Sequence, residues 1–164
     1  MRPRGERLRT RLEHGFDRRS VPLAVWLLRA TRGRMARLWR RRALVLNVRG
    51  RRSGRPRSVP LQYFPDGEAM VVVAANSGLP TLPAWYLNLL ADPAPSVDVD
   101  GRRLAVRAER MSAEEAAAFW PKLLGIAPDY ERYLRRTTRE IPLVRLSAAS
   151  ASAPGAAAST PPAD

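Results

Sequence analysis

The chain has 164 residues, of which 45% are hydrophobic and none is cysteine. A chain of this length forms one domain with a modest core. The lack of cysteine excludes a disulfide scaffold and thiolate-based metal or redox chemistry. His14 is the only histidine, which excludes a histidine-rich metal site and disfavours a histidine-based triad, so we predict no metal site. Any redox chemistry must therefore come from a bound cofactor.

The net charge of +14 is concentrated in the N-terminal third of the chain. Residues 1–57 contain 19 arginines and three acids, whereas the remaining residues sum to −2. A basic segment of this kind is typical of proteins that bind nucleic acid, anionic lipid or a polyanionic small molecule. Lys122 is the only lysine, and such arginine bias can reflect base composition as well as selection for phosphate binding. This ambiguity weakens the nucleic-acid interpretation.

The basic segment at residues 1–20 lacks the apolar stretch of a secretory signal, so we expect a cytoplasmic protein. Ser20 and Pro22 predict the start of a helix that continues, with mixed apolar residues and arginines, towards Trp39. Its apolar run is too short to span a bilayer. Such a helix either packs on the core alone or also brings residues 1–40 to the anionic inner face of the membrane, and both interpretations stay open.

The rest of the chain predicts six short strands with helices between them. Asp66-Gly67 and Asp100-Gly101 predict hairpin turns. The predicted strands are Ala43–Val48, Ser58–Phe64, Ala69–Ala75, Val97–Asp100, Arg102–Ala108 and Ile141–Leu146. The predicted helices are Pro83–Leu90, a helix after a Ser112–Glu115 capping box, and Pro128–Arg136.

No GxGxxG motif and no repeated strand–helix–strand unit is present, which disfavours a Rossmann domain. The pattern instead predicts a mainly β (α+β) domain over residues 21–147, a small antiparallel barrel with helices packed outside. Residues 148–164 have low complexity and predict a disordered tail.

A turn rich in glycine and arginine, GRRSGRPR at residues 50–57, follows the first strand. Glycine at Gly50 and Gly54 lets the backbone turn sharply, while a hydroxyl and several guanidinium groups supply donors for phosphate oxygens. A Walker loop is excluded because its Gly-Lys-Ser/Thr ending is absent. A solvated basic hairpin is the alternative. In the next strand, Pro60 predicts an edge position or a bulge, where ligands often meet a sheet.

Three segments resemble the deazaflavin-dependent nitroreductase family of actinobacteria, also described as F(420)H2-dependent quinone reductases. They are GRRSGRPRSVPLQYF, ANSGLPTLPAWYLNLLADP and VDVDGRRLAVRAE, and the resemblance extends over residues 43–146. It implies a split β-barrel related to flavin-binding split barrels. It also implies a reductase that transfers a hydride from reduced coenzyme F(420), a deazaflavin, to a quinone or nitro compound.

The same resemblance implies a set of cofactor contacts. Coenzyme F(420) ends in a phosphate and a polyglutamyl tail, which suit guanidinium groups. The implied cofactor-binding residues are Arg51, Arg52, Ser53, Arg57, Ser58, Pro60, Leu61, Gln62, Ala74, Ala75, Asn76, Trp85, Tyr86 and Asn88. For the aromatic members of this set, plain core packing is the alternative.

Tyr130 and Tyr133 resemble the family's substrate-side tyrosines, whose phenols can stack on the acceptor or help to protonate it. Aromatic rings that only close the barrel mouth are the alternative. The chain departs from the family at Ala127, where the best-known members have another tyrosine, and at Ala75, where some relatives have serine. These departures make nitro compounds less expected as acceptors.

Three other functions remain open at the level of sequence. The first is an FMN-binding split-barrel protein, because related barrels bind FMN and both ligands are phosphorylated. The second is an F(420)-binding protein without turnover. The third and least favoured is a basic nucleic-acid binder, because the aromatic residues needed to stack bases lie mostly after residue 57.

Overall fold

The computed structural model describes residues 21–31 and 42–149. Six strands form a closed antiparallel barrel in the order β1-β2-β3-β6-β5-β4. The strands are β1 (Ala43–Arg49), β2 (Pro56–Asp66), β3 (Ala69–Val73), β4 (Ser96–Val99), β5 (Arg102–Arg110) and β6 (Leu143–Ala148). The predicted six-stranded antiparallel barrel is therefore confirmed.

Helices pack against the barrel at its end and on its outer surface. They are α1 (residues 21–30), α2 (Ala84–Ala91), α3 (Ala113–Ile126) and α4 (Tyr130–Arg136). The predicted capping box begins α3, because Ser112 Oγ accepts from the Glu115 amide at 3.1 Å and Glu115 Oε2 accepts from the Ser112 amide at 2.8 Å. Among the described residues, no helix is both long and apolar enough to cross a membrane.

Strand β2 is longer than predicted because its two halves pair with different strands. Residues 56–62 pair with β1, and residues 63–66 pair with β3. Within the described residues, the half of β2 that contains Pro60 pairs with β1 alone, so the missing Pro60 amide breaks no pairing with β3.

Strand β6 also extends beyond its predicted end. Ala148 pairs with Val106, and the Ala149 amide donates to the Ala105 carbonyl at 2.9 Å. The strand continues past Leu146 because β5 also pairs with Ser147 and Ala148. The segment predicted as a tail therefore begins within β6, and residues 150–164, together with residues 1–20, lie outside the described residues.

Two apolar clusters make up the core, since alternate residues of each strand point to opposite faces. The inner cluster fills the barrel with side chains such as Leu46 and Leu146, and Tyr86 and Leu89 of α2 join it. The outer cluster lies between the barrel and α3. Its members include Phe64, Val71, Leu143, Phe119 and Leu123. Helix α2 therefore packs on the barrel interior and α3 on the barrel wall.

Helix α1 covers the outer face of β1 and β4. Its Val25 side chain is buried, and Arg29 donates to Asp98 Oδ2 at 2.8 Å and to Asn47 Oδ1 at 2.8 Å. The opposite side of α1 presents Leu23 and Trp26, which are 59% and 62% exposed. The predicted continuation of this helix to residue 39 lies outside the described residues.

Candidate functional site

The arginine hairpin, residues 49–57, joins β1 to β2 through a tight turn. The Gly50 amide donates to the Arg55 carbonyl at 2.9 Å, and the Gly54 amide donates to the Gly50 carbonyl at 2.7 Å. A Cβ atom on Gly50 would lie 2.7 Å from Ser53 Oγ and 3.8 Å from Arg57 Nε. Glycine leaves room here for the Ser53 side chain, which would have to shift if Gly50 carried a Cβ atom.

The guanidinium groups of the arginine hairpin are exposed. They belong to Arg49, Arg51, Arg52, Arg55 and Arg57. Within residues 21–31 and 42–149, no carboxylate forms a salt bridge with any of them. Five like charges on one short hairpin repel one another, so a bound anion would relieve this repulsion. The arrangement fits the phosphate and polyglutamyl tail of the expected cofactor.

Helix α2 holds the arginine hairpin from one side. The Arg51 amide donates to Asn88 Oδ1 at 3.2 Å, and the Arg49 amide donates to Asp92 Oδ2 at 2.6 Å. Two predicted parts of the site, the arginine turn and Asn88, are thus in direct contact. Trp85 is half-buried beside the inner cluster, while Tyr86 is 2% exposed and lies within it.

The predicted site residues of β2 do not share one face. Arg57 and Leu61 lie on the inward side of the strand, in register with residues of the inner cluster. The outward positions are Ser58, Pro60 and Gln62. Ser58 Oγ donates to Asn47 Oδ1 at 2.8 Å beneath α1. The strand therefore presents the predicted residues to two different surfaces.

A second loop, residues 74–79, follows β3 and has an uncommon backbone. Asn76, Ser77 and Gly78 have φ values of 48°, 53° and 73°, so three consecutive residues are left-handed. The turn is closed by the Gly78 amide donating to the Ala75 carbonyl at 3.0 Å and the Leu79 amide donating to the Asn76 carbonyl at 2.9 Å. Left-handed residues other than glycine cost about 1–2 kcal/mol each. The loop must therefore be stabilised by its surroundings.

Arg139 supplies much of this stabilisation. Its Nη2 donates to the carbonyls of Ala74 at 3.2 Å and Ala75 at 2.8 Å, and its Nε donates to the Leu79 carbonyl at 2.9 Å. Partial burial lowers the pKa of Arg139. Sequence reasoning missed this residue, because nothing near Arg139 in the chain indicates a partner more than 60 residues away.

The predicted substrate-side tyrosines lie at the margin of the outer cluster. The Tyr130 ring meets Phe64 at 5.6 Å and Tyr133 at 5.4 Å between centroids, both edge to face. Helix α4 packs on loop 74–79, since a Cβ atom on Gly78 would lie 3.1 Å from the Tyr133 carbonyl oxygen. Ala127 is 1% exposed within the outer cluster and presents no phenol.

A cavity of about 290 Å³ lies between α1 and the barrel. Its walls include Leu28, Arg29, Val45, Asp98 and Arg103, and none of the predicted site residues lines it. The part of the chain that the structure describes contains no cluster of three or more potential metal ligands among its histidine and acidic residues.

Comparisons with known proteins identify the same family that the sequence resembles. A family model described as F420H(2)-dependent quinone reductase matches residues 21–147. The F420H(2)-dependent quinone reductase Rv1261c of Mycobacterium tuberculosis is 34% identical over 108 residues, which cover 64% of this chain and 72% of that protein.

Solved structures agree on the fold. A structure described as an F420-H2 dependent reductase (FDR-A) has a TM-score of 0.58 and 29% identity, and covers 64% of this chain and 93% of that one. The Agrobacterium tumefaciens protein Atu2129, of unknown function, has a TM-score of 0.53 at 21% identity, with coverage of 66% and 48%, and supports the fold alone. The chain belongs to the F420H(2)-dependent quinone reductase family, and it is an F(420)H2-dependent oxidoreductase with coenzyme F(420) as its cofactor.

Proposed function

We propose that this protein reduces a quinone-like planar acceptor, or secondarily a nitro-aromatic compound, with reduced coenzyme F(420). When bound, the coenzyme supplies the hydride. The observation that carries the proposal is the arginine hairpin, whose exposed guanidinium groups form no salt bridge within the described ranges and whose backbone is tied to α2 by the Arg51–Asn88 hydrogen bond. The protein's task is then to bind, orient and exclude water.

The anionic end of the cofactor is assigned to Arg51, Arg52, Ser53 and Arg57. Guanidinium forks and a hydroxyl form charge-assisted hydrogen bonds to phosphate and carboxylate oxygens. The convergence of Ser53 Oγ and Arg57 Nε over Gly50 supports this assignment, since both donors lie on one side of the turn.

The ring system of the cofactor is assigned to β2, loop 74–79 and α2. The contributing residues are Leu61, Ala74, Ala75, Asn76, Trp85, Tyr86 and Asn88, whereas Ser58, Pro60 and Gln62 lie on the outward side of β2. The half-buried Trp85 exposes part of its ring, which can contact a ligand. The buried Tyr86 packs in the inner cluster and supports the position of the site residues around it.

Tyr130 and Tyr133 are assigned to the acceptor. Both rings are half-buried and edge to face, so they retain partial exposure beside loop 74–79. A phenol can stack on a planar acceptor and donate its Oη proton to the acceptor oxygen as the hydride arrives at the ring. Hydride plus proton together convert a quinone to a hydroquinone.

The assignment is tested by fluorescence titration of the purified full chain with F(420), FMN and NADPH. We expect tight binding of F(420) and weak binding of the other two. Arg57→Ala should weaken F(420) binding about tenfold, as expected for the loss of one charge-assisted contact. Arg107→Ala removes the same charge from an exposed position of β5 and serves as the control. Binding of FMN without F(420) would overturn the proposal.

We also propose that α1 contacts the anionic inner face of the membrane, where a quinone would be met. The supporting observation is that Leu23 and Trp26 lie about one turn apart and are both largely exposed, while Val25 packs inward. An amphipathic helix of this kind partitions to an anionic interface. Co-sedimentation with vesicles containing phosphatidylglycerol should fall in a Leu23→Ser, Trp26→Ser variant. Equal sedimentation of variant and wild type would contradict this contact.

A further inference from the structure

We propose that Arg139 is a positioning residue, which holds loop 74–79 in the conformation that meets coenzyme F(420). The inference rests on the proposed role of Ala74, Ala75 and Asn76 as cofactor contacts. It adds a residue that neither the motif pattern nor the family resemblance assigned.

The hydrogen bonds of Arg139 span loop 74–79 from its start to its end. The hydrogen bonds from Nη2 reach the carbonyls of Ala74 and Ala75 at the start of the loop, and the one from Nε reaches Leu79 at its end. Nη1 donates to the Glu140 carbonyl at 2.9 Å, which orients the guanidinium against the backbone of its own segment. A planar fork with fixed donor directions can bridge these four acceptors, whereas a lysine ammonium cannot reproduce that geometry.

The groups that accept hydrogen bonds from Arg139 are backbone carbonyls. In residues 21–31 and 42–149 no salt bridge to Arg139 is present, so its charge is met by backbone carbonyls and not by a carboxylate. A half-buried cation carries a desolvation cost that an exposed arginine avoids. Such a cost is expected where the side chain fixes a particular backbone geometry.

The left-handed backbone of loop 74–79 needs support from neighbouring residues. Two consecutive left-handed residues other than glycine, Asn76 and Ser77, are strained, and strain of this kind persists only where the surroundings over-determine it. Helix α4 packs against one side of the loop at Gly78. Arg139 fixes the carbonyls of Ala74 and Ala75 that precede the strained residues. Without it the loop would stay attached through α4 but lose the orientation of the segment assigned to the cofactor.

The test compares Arg139→Ala and Arg139→Lys with Arg145→Ala as the control. Arg145 is also a part-buried arginine with several hydrogen bonds, but its partners are Asp66 at 3.0 Å and Glu115 at 2.9 Å, and neither belongs to the loop. For each full-chain variant, F(420) affinity is measured by fluorescence titration and stability by thermal unfolding.

We expect Arg139→Ala to weaken F(420) binding about tenfold, Arg139→Lys to weaken it to a similar degree, and Arg145→Ala to leave it unchanged. Guanidinium at low millimolar concentration should restore part of the affinity in Arg139→Ala. A purely structural contact would lower the melting temperature without this selective loss and without the rescue.

The outcomes separate the two levels of the proposal. If Arg139→Lys or Arg139→Ala binds F(420) as tightly as wild type while Arg57→Ala binds weakly, the positioning role is wrong and the proposed function stands. If Arg139→Ala does not fold, Arg139→Lys decides alone. If the wild-type protein itself fails to bind F(420), the proposed function fails first.

Discussion

The two loops assigned to the cofactor are built in opposite ways. The arginine hairpin closes on itself through bonds between Gly50, Gly54 and Arg55, and leaves its charged side chains exposed. Loop 74–79 is closed by a strained left-handed turn and is held from outside by Arg139 and α4. The comparison indicates that the charge proposed to bind the anionic tail is supplied by local sequence, whereas the backbone shape proposed to meet the ring depends on contacts made by the complete fold.

The largest expected effect is at Gly78. An alanine Cβ would lie 2.8 Å from the Arg136 Cβ and 3.1 Å from the Tyr133 carbonyl, in a residue whose φ is 73°. Gly78→Ala should lower the free energy of unfolding by about 2–4 kcal/mol, since conformational strain and overpacking add. Urea denaturation measures this loss.

Gly67 provides a matched control for that variant. Its φ is 59°, yet a Cβ atom added there would have nothing within 4 Å. Gly67→Ala should therefore cost about 1–2 kcal/mol, the conformational part alone. Equal losses in the two variants would show that external packing on loop 74–79 adds nothing, which would remove the contrast between the loops.

A smaller effect is expected at Asn88 of α2, whose side chain accepts a hydrogen bond from the arginine hairpin. Asn88→Ala removes the acceptor for the Arg51 amide and should cost about 0.5–1.5 kcal/mol in unfolding free energy. Because the turn retains its internal bonds, we expect a clearer loss in F(420) affinity than in stability. Leu90→Ala, at a 51% exposed position of the same helix, is the control. A large stability loss in Asn88→Ala would mean that the hairpin also depends on distant contacts.

Local signals in the sequence were sufficient for most of the barrel. Alternation of apolar residues located the strands, glycine-containing pairs located the turns at Gly67 and Gly101, and Ser112 with Glu115 located the start of α3. Each of these signals acts within a few residues, so the fold class follows from the sequence once the strands are known.

The missing parts depend on pairing between distant segments. Ser58 was assigned to the cofactor by family resemblance, but strand register turns it outward to Asn47 beneath α1. The left-handed run from Asn76 to Gly78 and its support by Arg139 have no local signature, because asparagine and serine do not by themselves select a positive φ. The resemblance implies a set of site residues but does not give the faces on which they lie.

Asp98 offers the most quantitative test, because one of its two arginine partners is local and the other is distant. Arg103, on the paired strand, donates to both carboxylate oxygens at 2.7 and 3.1 Å, while Arg29 of α1 donates at 2.8 Å. Partial burial raises the pKa of the Asp98 carboxyl, but hydrogen bonds from Arg103, Arg29 and Asn47 outweigh it and lower the pKa to about 2.

A lowered pKa means that the ionised carboxylate stabilises the folded state. The stabilisation is complete above the unfolded-state pKa of about 3.9 and is lost as the pH falls towards 2, with an upper size of about 2 kcal/mol. The urea midpoint of the wild-type protein should therefore fall between about pH 5 and about pH 2.5, and Asp98→Asn should reduce this fall. We expect Arg103→Ala to remove more of this pH dependence than Arg29→Ala, since Arg103 bonds both oxygens. The reverse order would mean that the distant contact dominates at Asp98, as it does at loop 74–79. The contact of Asp98 with α1 would then contribute more stability than its contact within the β4–β5 hairpin.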